Sequence, residues 1–502
     1  MTVACEAIEI DGKIPTSKCP VGMGKSNEET ATLLQKPHVE QVIARPLRLR
    51  YQKWVMLAIL SVLSAVNQAI CYSYAPISSI VEERWEHRLH AESLITVYFI
   101  SYIPSAFIGS WLMDRKSLSF GVILGGFLQA IGAGLRYAAC FLPPSEEIYV
   151  TMFGQFLASL AMPFMVNSPP LLSANWFPPS MRATATSTAL NANALGAAVV
   201  FLTAPFIVGS SQDIPKWNLI NTLVAVVSCV VAAIYFRSAP TPQDRQFSGV
   251  AISKIEAKYE WSQWWTAFKC AGFWHTIVAF SMAECVINAL TALLGKFLGG
   301  TSFTKAQVGI VGAAFIVSSL VGGQIISVQV DKKRNHRMVT LVCLLLTAIS
   351  TGLFRVVPKV EVHATLVTLL LLGAVLGPIQ PIVLELGVEC AFPTSEPTVA
   401  ALQQLCGNFL SAIAVPGLSA LQRSQLGDRY FVASPEGIMA MSTMVTFVVF
   451  CFYNGRYNRH AHEKKIVLPR TIQDEDILVT SSEEDISTDS DDVTSTDSAR
   501  IG

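Results

Sequence analysis

The stretch Ser110-Trp-Leu-Met-Asp-Arg-Lys116 decides the fold, because it returns in altered form as Ser327-Val-Gln-Val-Asp-Lys-Lys333. In both places an acidic residue and two basic residues directly follow a long apolar run. A second pair, Phe177-Pro-Pro-Ser180 and Phe392-Pro-Thr-Ser395, recurs at nearly the same spacing. The chain is therefore predicted to contain two halves with the same order of elements.

Apolar runs of about 20 residues, the length that crosses the hydrocarbon core as a helix, occur along the whole chain. The eleventh run is the weakest, because Gln403, Gln404 and Asn408 interrupt it. We predict twelve spans, at 52–75, 92–113, 119–141, 148–173, 183–208, 218–237, 272–294, 305–329, 337–357, 363–386, 396–422 and 434–454.

Composition supports a membrane protein and excludes other classes. Hydrophobic residues make up 52% of the 502 residues and charged residues 14%, whereas a soluble globular protein has about 25% charged residues. Lysine and arginine balance aspartate and glutamate at 36 each, so the net charge indicates no nucleic-acid partner. We find no nucleophile–base pair, metal-ligand spacing or cofactor motif, and expect no enzyme, metal or cofactor.

Each half contains six spans, an even number, so the halves are parallel repeats about an axis along the membrane normal. Lysine and arginine concentrate at one face, which predicts that both termini are cytosolic. The expected domains are a tail at 1–50, bundles at 51–237 and 272–455, a linker at 238–271, and an acidic tail at 456–502. This all-α membrane fold resembles the major facilitator superfamily.

Three segments resemble solute carrier family 49 over roughly 50–455. They are Trp111-Leu-Met-Asp-Arg115 at the end of span two, Asn175-Trp-Phe-Pro-Pro-Ser-Met-Arg-Ala-Thr-Ala-Thr186 at the start of span five, and Glu385-Leu-Gly-Val-Glu389 with Phe392-Pro-Thr-Ser-Glu396 at the end of span ten. The resemblance implies a transporter fold that binds a small solute.

Within that family, Ala75-Pro-Ile77, Arg182-Ala-Thr-Ala-Thr186 and Asn408 are closest to the disrupted-in-renal-carcinoma 2 branch. That resemblance implies a lysosomal membrane and proton-coupled export of pyridoxine. In the viral-receptor branch an aromatic cage holds a choline-like headgroup. The matching positions here are Cys71, Met162, Asn288 and Asn408, which lack the aromatic faces that a quaternary ammonium needs.

Polar side chains gather in the spans that surround the cavity in this superfamily. Interhelical hydrogen bonding is the alternative role for any one of them. The candidate cavity residues are Asn67, Gln68, Cys71, Tyr72, Met162, Asn167, Asn193, Glu284, Asn288, Gln380, Gln404 and Asn408.

Ionisable groups within spans are expected to serve proton coupling or gating, because they are costly in lipid. Glu284 lies in the middle of span seven and is expected to bind a proton or a cationic substrate. Glu385 and Glu389 lie one turn apart, and two close carboxylates rarely both ionise; capping of span eleven or pairing with Arg182 is the alternative. The two repeated loops supply further gating candidates, or simple positive-inside charges: Asp114, Arg115 and Asp331.

The N-terminal tail contains Glu29-Thr-Ala-Thr-Leu-Leu34, which fits an acidic dileucine sorting signal. Glu29, Leu33 and Leu34 are therefore expected to bind a clathrin adaptor and to direct the chain to endosomes or lysosomes, with the plasma membrane as the alternative.

The function predicted from sequence is secondary active transport of a small organic solute by alternating access, with a pyridoxine-like vitamin favoured. Haem, choline or another metabolite remains an alternative substrate. The alternative class is a non-transporting receptor or scaffold.

Overall fold

The computed structural model describes residues 51–240, 261–298, 303–333, 335–357, 361–394, 396–424, 430–459 and 461. The described residues from Gln52 onward belong to one compact unit, and they are helical without any strand. The sorting segment at 29–34, most of the linker and most of the acidic tail lie outside the described residues. The main helices are α1 Tyr51–Arg84, α2 Ala91–Met113, α3 Leu118–Ala139, α4 Pro144–Trp176, α5 Thr184–Ile207, α6 Ser211–Tyr235, α7 Phe273–Phe297, α8 Lys305–Ser327, α9 His336–Val356, α10 Val362–Ala391, α11 Thr398–Arg423 and α12 Pro435–Cys451.

These helices confirm the all-α fold predicted from sequence, and each predicted span overlaps one of them. Among the residues described, 11 helices are long and apolar enough to cross a membrane. The last helix, α12, is apolar but only 17 residues long. The eleventh predicted span, which is the weakest in the sequence, forms a continuous helix. Its glutamine and asparagine side chains are accommodated inside the bundle.

Proline residues interrupt or bend several of the helices. In α4 the regular pattern breaks near Ala161 and again at Asn167, where Pro163 and Pro169 remove backbone donors. Helix α1 tightens into a 3-10 turn at Ala75–Ile77, which contains Pro76, before it continues to Arg84. These irregular turns free polar backbone and side-chain groups in the middle of the N-terminal half.

The repeated acidic–basic stretch is not a loop in most of its length, in contrast to the sequence prediction. The helix that contains α2 continues through Asp114 to Arg115, and the helix that contains α8 continues through Asp331 to Lys333. A helix can continue past its apolar residues into a charged last turn, because its backbone hydrogen bonds do not depend on apolar side chains. We call the side of the molecule that carries these residues the loop face.

The two halves meet mainly where α2 packs on α11 and where α5 packs on α8. Small residues permit close approach at the second contact. A Cβ atom at Gly309 of α8 would lie 2.8 Å from the ring of Pro205 in α5. Such glycine contacts are typical of helices that pack in lipid. The halves are therefore in tight contact along both seams.

The polarity of α6 is the reverse of that of a helix on a soluble protein. Val227 and Ile234 are exposed, whereas Asn218 and Ser228 are buried. Lipid can cover exposed apolar side chains but cannot satisfy polar ones. The face of α6 that points away from the bundle is therefore suited to lipid.

Candidate substrate and proton site

The centre of the candidate site is Glu284, a carboxylate on α7 that is only 5% exposed. Helix α7 is buried on nearly all sides, between α11, α10, α12 and the 3-10 turn of α1. Its neighbours Ala283 and Cys285 are also buried. An ionisable group in such a place carries a desolvation cost of several kcal/mol unless a proton, a cation or hydrogen bonds compensate it.

One oxygen of Glu284 is satisfied and the other is not. The Gln404 amide on α11 donates a hydrogen bond to Oε1. Among the described residues Oε2 has no hydrogen-bond partner. It faces the bare backbone of Gly407, where an added Cβ atom would come within 2.7 Å of the carboxylate carbon. The absence of a side chain at position 407 thus makes room for the carboxylate.

Asn288 continues the polar surface one turn further along α7. The Tyr72 hydroxyl donates to Asn288 Oδ1 over 3.0 Å, and Asn288 Nδ2 donates to the Ser411 hydroxyl over 3.0 Å. Tyr72 belongs to the N-terminal half, whereas Asn288 and Ser411 belong to the C-terminal half. A chain of hydrogen bonds therefore crosses between the halves beside Glu284.

Other predicted cavity residues surround this group. Asn408 is fully buried and donates from Nδ2 to the Gln404 carbonyl over 2.9 Å, which leaves its Oδ1 without a partner among the described residues. Cys71 and Met162 pack in the same apolar cluster as Tyr72. The structure thus places one carboxylate, several amides and two sulfur-bearing side chains near the contact between the halves.

The polar residues of the N-terminal half make hydrogen bonds between their own helices. Asn67 donates to the Ala158 carbonyl over 3.1 Å, and Asn193 donates to the Ser64 carbonyl and hydroxyl, each over 3.1 Å. Asn167 accepts from Tyr102 over 3.0 Å. These bonds hold neighbouring helices together. Two more of the predicted cavity residues are half-buried, Gln68 and Gln380.

The predicted gating residues lie at or near the loop face. Arg182 donates to the carbonyl oxygens of Phe177 and Ala174, at 3.2 and 3.3 Å, and so caps the end of α4. Glu385 is exposed and Glu389 is half-buried on α10. The Arg115 guanidinium lies 5.9 Å from the centre of the Trp111 ring. These residues form no part of the group around Glu284.

Sequence reasoning missed a set of ion pairs at the opposite side of the molecule. Glu92, at the start of α2, is 3% exposed and accepts a hydrogen bond from Ser419. It also pairs with Lys296 over 2.7 Å and with Arg423 over 3.0 Å. Lys296 in turn pairs with Glu82 over 2.9 Å. We call these five residues the clasp, and their side of the molecule the clasp face.

A buried arginine was missed as well. Arg136 of α3 is 2% exposed and donates to the Ile70 carbonyl, to Gln155 and to the Ser73 hydroxyl, at 3.0, 2.9 and 2.6 Å. Its guanidinium lies 4.3 Å from the centre of the Tyr74 ring. Arg136 therefore anchors the segment of α1 that carries Tyr72, just before its 3-10 turn. A signal was present in the sequence, since an arginine inside an apolar run is rare.

The profile of the Major Facilitator Superfamily matches residues 53–416. Solute carrier family 49 member A3 of Xenopus tropicalis is 27% identical over 72% of this chain and 76% of its own. The choline/ethanolamine transporter FLVCR1 of Felis catus is 26% identical over 75% of this chain and 70% of its own. Among solved structures, a D-xylose–proton symporter superposes with a TM-score of 0.62 at 13% identity, covering 80% of this chain and 98% of that one.

Proposed function

The chain belongs to the major facilitator superfamily, and on that premise we propose that it is a secondary active transporter of a small organic solute, driven by protons. Alternating access would expose the site around Glu284 first to one side of the membrane and then to the other. The similarity to solute carrier family 49, predicted from sequence and found again in the relatives, supports transport rather than another use of the fold.

The observation that carries the proposal is the buried carboxylate of Glu284, with one satisfied and one unpartnered oxygen. Such a group is stable if it takes a proton, and it is also stable if a positively charged ligand approaches Oε2. Because Tyr72 joins the N-terminal half to Asn288, loss of that bond accompanies any parting of the halves at this point. The proposed proton site therefore lies next to a contact that breaks when the halves move.

For the substrate we favour a hydroxylated ring such as a pyridoxine-like vitamin. Amide and hydroxyl groups of Asn288, Gln404, Asn408 and Ser411 would hydrogen-bond to ring substituents. FLVCR1 and similar relatives are choline/ethanolamine transporters, which makes a small amine the second candidate. Among the described residues, the aromatic side chain hydrogen-bonded to the group around Glu284 is Tyr72, whereas a quaternary ammonium is best held by several aromatic faces.

The direction of transport and the membrane that holds the protein are part of the proposal. If the loop face is cytosolic, as the lysine and arginine distribution predicts, export from an acidic lumen would run down the proton gradient. Glu29, Leu33 and Leu34 would bring the protein to lysosomes or endosomes through an adaptor. At the loop face Glu385, Glu389 and Arg182, with the helix ends at Asp114 and Asp331, would control closure.

The alternative class is a membrane receptor or scaffold that does not transport. Such a protein gains nothing from an unsatisfied buried carboxylate, which lowers stability. The proposal is tested by reconstituting the purified protein in vesicles and measuring uptake of labelled pyridoxine, choline, ethanolamine and amino acids with and without a pH gradient. We expect gradient-dependent uptake of pyridoxine. Transport of none of the solutes would support the receptor or scaffold.

A further inference from the structure

The clasp is the densest set of charges between the two halves in the described part of the chain, with Glu82, Glu92 and Lys296 largely buried and Arg423 44% exposed. Glu82 and Glu92 come from the N-terminal half, whereas Lys296, Ser419 and Arg423 come from the C-terminal half. The two carboxylates and two cations balance in charge. Every one of these contacts must break if the halves part on the clasp face.

Glu92 is the connecting residue, because it meets three groups of the other half at once. Both of its oxygens are engaged, Oε2 by Lys296 and Oε1 by Ser419 and Arg423. Loss of its charge would therefore weaken two ion pairs in one step. It would also leave Lys296 and Arg423 with a single carboxylate, Glu82, between them.

We propose that the clasp is an acid-operated lock, in which protonation of Glu92 from the clasp face releases Lys296 and Arg423 and allows the halves to part there. The inference rests on the proposed transport function for its purpose, because the parting would open the site to that side. The lock itself is a property of the residues and is testable without a substrate.

Acid favours opening because the groups around Glu92 differ between the closed and the open state. In the closed state two cations and a hydroxyl stabilise the ionised carboxylate. When the halves part, these groups leave with the C-terminal half, and Glu92 stays beside Glu82. The open state therefore binds the proton more tightly than the closed state, so acid shifts the equilibrium towards opening.

Other charged groups near the clasp do not reverse this direction. His90 Nδ1 lies 3.2 Å from Glu82 Oε2, and Glu82, His90 and Glu92 each place an atom within 4.8 Å of the others, all in the N-terminal half. Arg84 pairs with Glu147 over 2.6 Å, within the N-terminal half. His90, Arg84 and Glu147 therefore stay with Glu92 when the halves part, whereas Lys296 and Arg423 leave it.

The test introduces a cysteine at a position that is buried while the clasp face is closed. Ser78 is buried on α1, and its hydroxyl would lie 3.1 Å from a Cβ atom at Gly295 of α7, across the contact between the halves. Purified Ser78→Cys protein is treated with a polar maleimide, and the labelled position is identified by mass spectrometry. Because the thiolate is the reactive form, each rate is divided by that of the same protein unfolded in denaturant at the same pH, and all rates below are these normalised rates. Native Cys343, buried in the C-terminal half, reports loss of the fold if it becomes labelled.

We expect the normalised labelling rate of Ser78→Cys to be several-fold higher at about pH 4.5 than at about pH 7.5, because acid populates the open state. Adding Glu92→Gln should give the fast rate at both pH values. Glu146→Gln, a change of an exposed carboxylate on the same face, should keep the pH dependence of the parent protein.

Three outcomes would overturn the lock. Labelling of Ser78→Cys that does not change with pH would remove the acid response. A pH response that survives Glu92→Gln but disappears in His90→Gln would assign it to the histidine. If Glu92→Gln exposes Cys343, then Arg423→Gln replaces it as the probe, and an unchanged slow rate at about pH 7.5 would show that the ion pairs do not hold the face closed. Failure of uptake with a normal labelling response would instead contradict the transport proposal alone.

Discussion

At the scale of single residues, the site depends on a carboxylate placed against a glycine. Glu284 was recognisable from sequence, because an acid in the middle of an apolar run stands out, and Asn288 followed from helical periodicity. Gly407 and Ser411 were not recognisable, since their roles depend on how closely α11 approaches α7. The clasp residues were missed because charges at the ends of spans are usually simple interfacial residues.

Replacement of Glu284 by glutamine tests the proton-binding role. Glu284→Gln keeps the shape but removes the titration, so we expect loss of gradient-driven accumulation while exchange of substrate across the membrane persists. Both are measured in vesicles with labelled substrate, normalised to the amount of protein inserted. A variant that accumulates substrate as the parent protein does would transfer the coupling role to Glu385 and Glu389.

Gly407→Ala tests the space beside the carboxylate. The added methyl group would come within 2.7 Å of the Glu284 carboxylate carbon, so the carboxylate must move away from its present position. We expect the uptake rate to fall roughly ten- to hundredfold. Gly417→Ala is the matched control on the same helix, because no atom lies within 4 Å of a Cβ placed there. Equal rates for both variants would argue against a role for this contact.

At the scale of elements, the helices themselves were predictable and their irregularities were not. Hydropathy placed all the spans, because lipid requires long apolar helices whatever their neighbours are. It did not show that α4 breaks at Asn167 or that charged last turns remain helical at Arg115 and Lys333. Those details depend on proline positions and on tertiary contacts.

Arg136 is expected to hold in place the segment of α1 that precedes its 3-10 turn. In Arg136→Lys a single ammonium replaces a guanidinium that serves three acceptors from α1 and α4, so at least one of them loses its partner. We expect a stability loss of about 2 kcal/mol, seen as a lower temperature of thermal unfolding. Exposed Arg456→Lys, beyond the end of α12, is the control. Unchanged unfolding of Arg136→Lys would show that these hydrogen bonds add no net stability.

The N-terminal tail carries its own prediction. Changing both Leu33 and Leu34 to alanine removes the two apolar anchors of the sorting signal, so the protein should move from vesicles to the plasma membrane. Fluorescence imaging of tagged protein is the measurement, with Leu47→Ala in the same tail as a control. Vesicular location of the double variant would contradict adaptor binding through this motif.

At the scale of the whole molecule, two sets of polar contacts link the halves. One is the chain from Tyr72 through Asn288 to Ser411, and the other is the clasp. Both would break when the molecule opens on the clasp face. Glu92 and Glu284 would then bind protons at two different levels of the same bundle during one cycle.

The most direct test of the account is proton-driven accumulation by the purified protein in sealed vesicles. With an acidic medium and a more alkaline interior, labelled pyridoxine should accumulate above its external concentration, and a protonophore should abolish the excess. The same gradient in vesicles without protein gives the background. Uptake that only reaches the external concentration, with or without the gradient, would contradict proton-coupled transport of this substrate.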